Sequence, residues 1–281
     1  MTEVGTNSIE VAINHHDKIS IAWRNLQYEV SQFTGWKFQK KPILRQLNGS
    51  FTTKSLNGLM GPSGAGKSTL LDCLSGNQRA GLSAASEIYL NSGQGPAVSY
   101  FIEQHVHESI VGQMKVGDIL RYAFRFKNGL TNKLANKHIE ETMSQLMLPS
   151  DLLDRPFEKC SGGEQKRVAI AQELMSLQKP SFLLIDEPTT GLDSAAAFQV
   201  VTCLKSLTET HQITVIASIH APNNEILNLF DKIYVLAKGG VCIYSGPPQQ
   251  IQSFMEREIE LKIPLEQPPI EALIKIACNG M

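Results

Sequence analysis

Residues 61–68 read GPSGAGKS and match in full the pattern GxxxxGK[ST] of a phosphate-binding P-loop. The stretch follows the apolar Gly58-Leu59-Met60, and residues 67–74 have apolar side chains at helical spacing. A strand, a glycine-rich turn and a helix form the context in which this pattern binds phosphate. The sequence therefore predicts a nucleotide-binding α/β core rather than a chance glycine-rich turn.

The residues of this loop have separate predicted roles. Glycines let backbone N–H groups converge on phosphate oxygens, and the N-terminus of the following helix adds its positive end. Lys67 is expected to reach the β- and γ-phosphates, and the Ser68 hydroxyl to ligate Mg²⁺. The predicted ATP-binding residues of this segment are Gly61, Pro62, Ser63, Gly64, Ala65, Gly66, Lys67, Ser68 and Thr69.

A second chemical signal is a short apolar run that ends in two carboxylates. Residues 182–185 and 213–217 are typical of strands buried on both faces of a parallel sheet, and Asp186 and Glu187 follow the first run. Open α/β sheets place their ligands at the carboxyl ends of strands. We expect Asp186 to hold Mg²⁺ and Glu187 to deprotonate the water that attacks the γ-phosphate. Without the P-loop, the pair would be read as solvated residues at a strand end.

Ser161-Gly162-Gly163 precedes a segment whose apolar positions have helical spacing. Ser161 therefore stands where a helix N-cap is expected, and capping is one reading of its role. In the other reading, Ser161, Gly162 and Gly163 open a second phosphate-binding helix N-terminus, which meets a γ-phosphate held by another chain's P-loop.

Composition and charge narrow the class of protein. The 281 residues are 42% hydrophobic and 19% charged, values that exclude disordered, collagen-like and coiled-coil chains. Lys and Arg total 26 against 27 Asp and Glu, so no nucleic-acid partner is expected. The five cysteines show no CxxC pairing and suit a reduced intracellular protein. No apolar run approaches the roughly 18 residues that span a bilayer.

The remaining pattern predicts the other elements. Residues 21–30 alternate as a strand, a Lys-rich aromatic loop follows to Pro42, and residues 43–59 indicate further β structure. From about 106 to 155 the pattern is helical. One predicted helix face there comprises Ile119, Tyr122, Ala123 and Phe126, and another comprises Ile139, Met143, Leu146 and Met147. Residues 233–236 and 241–244 indicate a hairpin with Gly239-Gly240 at its turn.

The order of these segments resembles the ATP-binding domain of ABC transporters over about residues 20–250. The P-loop is followed by SGGE at residues 161–164, by Asp186-Glu187, by GLDS at residues 191–194 and by His220. The phrases DEPTTGLDS at 186–194, SIHAP at 218–222 and LFDKI at 229–233 resemble more narrowly the G subfamily. These half-transporters include the insect white and scarlet eye-pigment transporters, a likeness that suggests an arthropod member.

The resemblance implies roles for three further residues. Gln104 would contact Mg²⁺ and report the nucleotide state to the helical subdomain, and His220 would be the switch residue at the γ-phosphate. Asp193 would belong to the loop that joins two ATP sites. The implied catalytic set is Glu187, His220, Lys67 and Gln104, and the implied metal ligands are Ser68, Gln104 and Asp186.

The resemblance also implies an architecture. It is an α/β P-loop NTPase core, with a mostly parallel sheet flanked by helices, an N-terminal antiparallel β subdomain and a helical insertion at about 106–160. Residues 1–20 would be a polar tail, 21–250 the ATP-binding domain, and 251–281 a segment leading toward a membrane domain. Two copies, or one copy and another half-transporter, would bind ATP and Mg²⁺ head to tail. The dimer would lie at the cytoplasmic face of a membrane and drive transport of a lipid-like or pigment-precursor substrate.

Three features depart from the family pattern. The signature begins with Cys160 and ends in Glu164, although its Ser-Gly-Gly centre is intact. Val30 stands where many members stack an aromatic ring on adenine, and nearby Tyr28 is expected in the core instead. The chain reaches Met281 without a hydrophobic span. A fragment of a longer transporter is favoured, and a stand-alone or regulatory ATPase subunit is the alternative.

Overall fold

The computed structural model describes residues 19–35, 37–77, 79–91, 97–105, 110–129, 132–259 and 268–279. The predicted polar tail lies almost wholly outside these ranges. The strands are β1 Ile19–Thr34, β2 Lys37–Thr52, β3 Leu56–Met60, β4 Glu87–Leu90, β5 Ser99–Ile102, β6 Phe182–Ile185, β7 Thr214–Ile219, β8 Lys232–Ala237 and β9 Val241–Gly246. The helices are α1 Lys67–Ser75, α2 Val116–Asn128, α3 Asn132–Gln145, α4 Gly162–Glu173, α5 Ser194–Thr210, α6 Asn224–Leu227, α7 Ile251–Glu258 and α8 Pro269–Asn279.

The larger sheet has six strands in the order β5-β6-β7-β3-β8-β9. All neighbours pair in parallel except β8 and β9, which form the predicted hairpin. Every residue of β3, β6 and β7 is buried. This burial on both faces explains why these segments are continuous apolar runs rather than alternating ones.

The two faces of this sheet contribute to two hydrophobic clusters. Leu183 and Ile185 of β6 pack into the larger cluster with helices α2 to α5, and Phe182 and Leu184 pack into the other with α1 and the second sheet. The second sheet is antiparallel, with strand order β2-β1-β4. The fold is therefore the predicted P-loop α/β core with an antiparallel β sheet beside it, and Tyr28 is buried in the second cluster.

Two sequence predictions about local structure were wrong. The segment before Pro42 is not a loop, because β1 and β2 continue as a hairpin in which Thr34 pairs with Lys37. The predicted helix face with Tyr122 and Phe126 is also incorrect, since both side chains are exposed. The buried stripe of α2 consists of Val116, Ile119, Leu120 and Phe124. Ile139, Met143 and Leu146 are buried as expected, whereas Met147 is exposed.

Within the described ranges, no helix combines the length and the apolar character that crossing a bilayer requires. The two α-helices that the described ranges contain after β9, α7 and α8, are short. Helix α8 packs on β8 and buries Ile270, Leu273 and Ala277.

Candidate functional site

The P-loop is held in a conformation that requires glycine at two positions. Gly61 has φ +143°, and a Cβ atom there would lie 2.2 Å from the carbonyl oxygen of Leu236 in β8. Gly66 has φ +98°, and its Cβ would lie 2.6 Å from Cδ2 of Leu44 in β2. The positive φ disfavours a side chain at both positions, and at Gly61 the backbone carbonyl of Leu236 also excludes one. The loop is therefore fixed between β8, β2 and the start of α1.

Lys67 lies inside this loop. Its Nζ donates hydrogen bonds to the carbonyl oxygens of Gly61 at 3.0 Å and Pro62 at 3.2 Å. Burial lowers the pKa of the ammonium group, while the negative charges of Glu187 and Asp186 act in the opposite direction. The ammonium group is thus positioned by the backbone, within electrostatic reach of the predicted metal ligand Asp186 and the predicted general base Glu187.

The rest of the loop presents polar groups at the surface. Ser63, Gly64 and Ser68 are exposed, Thr69 is half-buried, and Pro62 and Ala65 are buried. Helix α1 begins at Lys67 with Gly66 as its N-cap. Because glycine has no side chain that could accept from the first N–H groups of the helix, those donors are left to a ligand.

Glu187 is held by three side chains at the carboxyl end of β6. Its Oε2 accepts from Nε2 of Gln104 at 2.8 Å and from the hydroxyl of Thr190 at 2.9 Å. Its Oε1 lies 2.9 Å from Nε2 of His220. The backbone of Glu187 has φ +47°, a conformation uncommon for residues other than glycine and frequent at functional sites. The structure therefore brings together Glu187, Gln104 and His220, three of the four predicted catalytic residues.

Asp186 faces a different partner. Its Oδ1 accepts from the hydroxyl of Ser218, the penultimate residue of β7, and the Ser218 oxygen accepts from the backbone N–H of Glu187 at 2.9 Å. A single serine thus connects the two acidic residues. Sequence reasoning assigned no role to Ser218 or to Thr190, although both lie inside the quoted phrases SIHAP and DEPTTGLDS.

Lys166 of α4 is a further residue that sequence reasoning missed. Its Nζ donates to the carbonyl oxygen of Gln104 at 2.7 Å. Burial lowers its pKa, and Glu187 and Asp186 oppose that shift. Because α4 begins at the Ser-Gly-Gly segment, Lys166 connects that helix to the Gln104 loop. The apolar spacing of α4 does not predict this contact, because Lys166 is a single lysine in the helix and its partner is a backbone carbonyl 62 residues earlier in the chain.

Ser161 is the N-cap of α4, as the capping reading predicts. Its hydroxyl accepts from the N–H of Glu164 at 3.3 Å, and its own N–H donates to Oε2 of Glu164 at 2.7 Å. This reciprocal pair is a complete capping box. Ser161 itself is exposed, so its hydroxyl is accessible from outside the chain.

The start of α5 lies beside the start of α4. A Cβ on Gly162 would lie 2.9 Å from Cδ2 of Leu192, and one on Gly163 would lie 3.2 Å from Cβ of Ala196. Asp193 caps α5, because its Oδ1 accepts from the N–H of Ala196 at 2.8 Å. The predicted residues Ser161, Gly162 and Asp193 are therefore exposed at two neighbouring helix starts, and Gly163 is buried between the helices.

The predicted metal ligands fit the chemistry of Mg²⁺. Ser68, Gln104 and Asp186 offer a hydroxyl, an amide carbonyl and a carboxylate, and Mg²⁺ prefers oxygen ligands. Among the described residues, no group of three or more His, Cys, Asp or Glu side chains could hold a metal ion. Three protein ligands, Ser68, Gln104 and Asp186, suit Mg²⁺, which usually also takes waters and substrate phosphates as ligands.

Comparisons with known proteins agree with this site. The family described as ABC transporter matches residues 44–190, a span that includes the P-loop, the Ser-Gly-Gly segment and both carboxylates. The fold and the site define a P-loop ATPase. The chain belongs to the ABC transporter family, and it has the ATPase domain of that family.

Individual relatives come from the G family. The chain is 34% identical over 245 residues to ABC transporter G family member 11 of Arabidopsis thaliana, covering 83% of this chain and 33% of that one. It is 34% identical over 246 residues to the broad substrate specificity ATP-binding cassette transporter ABCG2 of Bos taurus, covering 82% and 36%. The chain spans about a third of the length of these relatives. A plant and a mammalian relative do not bear on the suggested arthropod origin.

A solved structure supports the fold. The chain superposes on cbiO1 from Clostridium perfringens, part of the ABC transporter complex cbiONQ, with a TM-score of 0.69 and 22% sequence identity. The likeness covers 92% of this chain and 99% of that one. At this identity it shows the fold alone.

Proposed function

We propose that this chain binds Mg²⁺-ATP in its P-loop, hydrolyses it within a head-to-tail dimer, and thereby drives transport through a membrane domain. The observation that carries the proposal is the Glu187 carboxylate, which Gln104, Thr190 and His220 hold at the carboxyl end of β6. The regulatory alternative is not favoured, since Lys67, Glu187 and His220 are all present. The stand-alone alternative is not favoured either, since the relatives of this chain are ABC transporters of the G family.

Each residue around the nucleotide has a defined task in this proposal. The N–H groups of the P-loop and the ammonium of Lys67 bind the phosphates. The phosphate oxygens then replace the carbonyl oxygens of Gly61 and Pro62 as acceptors for the Lys67 ammonium. Glu187 accepts a proton from the attacking water, and its three donors fix the carboxylate orientation. Mg²⁺, held by Ser68, Asp186 and Gln104, would neutralise charge on the phosphate oxygens.

The second half of each ATP site would come from a partner. Ser161 and Gly162 form an exposed helix start, with Gly163 buried behind them, on the surface that also contains Asp193. A partner's γ-phosphate placed there would accept hydrogen bonds from the helix N-terminus and from the Ser161 hydroxyl. ATP then favours the closed dimer by its higher affinity for that state, and loss of the γ-phosphate favours reopening.

The wider assignment rests on the family. We propose that residues 21–250 form the ATP-binding unit, with about 106–160 as its helical subdomain and 251–281 leading toward a membrane domain. The dimer, formed by two copies or with another half-transporter, would lie at the cytoplasmic face of a membrane. A lipid-like or pigment-precursor compound is the proposed class of substrate.

The deciding experiment is Glu187→Gln measured in a single turnover with Mg²⁺ and ATP. ATP binding should persist, because the P-loop is unchanged, and hydrolysis should fall by about 10²- to 10⁴-fold with loss of the general base. Glu103→Gln is the matched control, since it neutralises an exposed carboxylate beside Gln104. An undiminished rate in Glu187→Gln would remove this residue from the mechanism.

A further inference from the structure

The β1–β2 hairpin ends in an exposed aromatic pair. Phe33 and Phe38 are directly opposite each other in the register, and their ring centroids are 5.2 Å apart. The two residues are 62% and 77% exposed. We use the name hairpin tip for residues 31–35 and 37–41.

Aromatic residues at the other end of the same strands behave differently. Trp23 of β1 and Phe51 of β2 are buried and pack edge to face, together with Tyr234 of β8. A cross-strand pair of phenylalanines stabilises a two-stranded ribbon. Stabilising the ribbon does not require both rings to be mostly exposed to water. Exposed apolar clusters on protein surfaces are often interaction sites.

The charge of the hairpin tip is uniformly positive. It contains Lys37, Lys40 and Lys41, and after Glu29 the next acidic residue in the chain is Asp72. The Lys40 ammonium lies 3.7 Å from the carboxylate of Glu29, at the base of the tip. The local excess of positive charge therefore contrasts with the net charge of −1 for the whole chain.

Strand register distributes these groups over two faces. Ser31 pairs with Lys40, so Lys40 lies on the same face as Phe33 and Phe38. Thr34 pairs with Lys37 and Val30 with Lys41, which places Lys37 and Lys41 on the other face. One face of the tip thus carries the two phenylalanines and Lys40. The other face carries Lys37 and Lys41, whose long aliphatic stems can extend past the edge of the ribbon.

We propose that the hairpin tip docks on an anionic lipid surface. The phenylalanine rings lie at the boundary between headgroups and acyl chains, and the three lysines contact headgroup phosphates and carboxylates. Charge complementarity favours this occupant, because every charged side chain of the tip is cationic. The proposal does not depend on ATP hydrolysis, since the tip contains none of the residues assigned to the ATP site.

The experiment measures sedimentation of the full 281-residue chain with vesicles, in about 0.1 M salt so that screening is moderate. One vesicle type contains phosphatidylcholine alone, and the other contains about 30% phosphatidylserine to provide the anionic surface.

Two matched pairs of variants locate the contact. Phe38→Ser is compared with Phe126→Ser, whose parent side chains are 77% and 87% exposed. Lys40→Glu is compared with Lys137→Glu, whose parent side chains are 78% and 77% exposed.

Lys40 and Lys137 are also matched in their partners. Each lies near one glutamate, Glu29 at 3.7 Å and Glu141 at 3.8 Å, so both reversals break a similar exposed ion pair. The parent chain should bind the anionic vesicles and not the neutral ones. Phe38→Ser and Lys40→Glu should each lower the partition by at least about fivefold. Phe126→Ser and Lys137→Glu should leave it unchanged.

Three results would overturn the proposal. They are no binding to anionic vesicles, equal binding to neutral vesicles, and equal losses in the tip variants and their controls. Thermal unfolding and ATP affinity of every variant are measured in parallel, and both should match the parent. A tip that binds a protein partner instead would give the first of the three results.

Discussion

Two helices begin at predicted phosphate sites, and they begin in different ways. Helix α1 starts after Gly66, a left-handed residue without a side chain, and has no acidic residue in its first turn. Helix α4 starts after Ser161, and its capping box with Glu164 engages N–H groups at the helix start. One helix start is open to a ligand, and the other already has partners of its own.

The difference fits a sequence in which the P-loop binds ATP first and the partner's α4 start meets the γ-phosphate afterwards. An open, glycine-shaped start suits a phosphate that binds first and from the same chain. A capped start keeps α4 folded in the absence of a partner, and the exposed Ser161 hydroxyl can still donate to a phosphate that arrives later. Changes at α1 should therefore affect nucleotide affinity, whereas changes at α4 should affect hydrolysis in the dimer.

Among changes at the two helix starts, the largest effect is expected for Gly66→Ala. The variant combines an unfavourable φ of +98° with a Cβ 2.6 Å from Cδ2 of the buried Leu44, so the strained backbone favours a shift of the loop away from its phosphate-binding shape. ATP affinity should fall on the order of 100-fold, from about 3 kcal/mol of lost interaction and strain. Titration calorimetry with Mg²⁺-ATP measures the dissociation constant of the parent chain and of the variant.

Gly76→Ala provides the control at the other end of the same helix. Gly76 also has a left-handed φ, +82°, but the nearest atom to its Cβ is 3.8 Å away, on Arg79. The cost to stability should be about 1 kcal/mol, with no change in ATP affinity. Equal losses of affinity in both variants would mean that the open start of α1 has no special role.

The second prediction separates the two functions of the α4 start. Ser161→Ala removes the cap and the proposed contact to the partner's phosphate, and should lower hydrolysis by about 10- to 100-fold while ATP affinity in the isolated chain persists. Glu164→Ala removes the reciprocal half of the box and keeps the Ser161 hydroxyl. It should cost about 1 kcal/mol of stability, or about 2–4 °C in Tm, with hydrolysis largely retained. Similar loss of hydrolysis in both variants would reduce Ser161 to a cap.

The sequence predicted the parts of this site that local chemistry determines. The P-loop, the carboxylates after β6 and the capping serine each follow from a short pattern with a mechanism. Ser218, Thr190 and Lys166 did not follow, because their roles depend on which strand ends and helices become neighbours. The fold class was predicted from the apolar runs that form β6 and β7.

Errors arose where two patterns compete. The segment before Pro42 contains a glycine and several lysines, which favour a loop, yet its ends pair because β1 and β2 are already in register. In α2, aromatic residues at helical spacing suggested a buried face, but Tyr122 and Phe126 lie outside the stripe that contacts the core. Spacing shows that side chains share a face and does not show which face is buried.

The smallest effect is expected at the lysine that connects α4 to the Glu187 site. Lys67 of α1 and Lys166 of α4 are both buried and both have a lowered pKa, but Lys67 contacts the P-loop whereas Lys166 contacts the carbonyl of Gln104. Lys166→Met should release that carbonyl, allow Gln104 to move relative to Glu187, and lower hydrolysis by about tenfold at unchanged ATP affinity. Lys159→Met, at an exposed lysine before the same helix, is the control and should hydrolyse ATP normally.

Stability should respond to Lys166→Met differently from Glu164→Ala. Because burial disfavours the charged form of Lys166, replacing it with an apolar side chain of similar length removes that desolvation cost, and Tm should not fall. Loss of hydrolysis without loss of Tm would assign Lys166 to positioning the Gln104 loop. A parallel loss of both would instead make it a structural residue of α4, and the coupling between the two helix starts would then have to pass through other contacts.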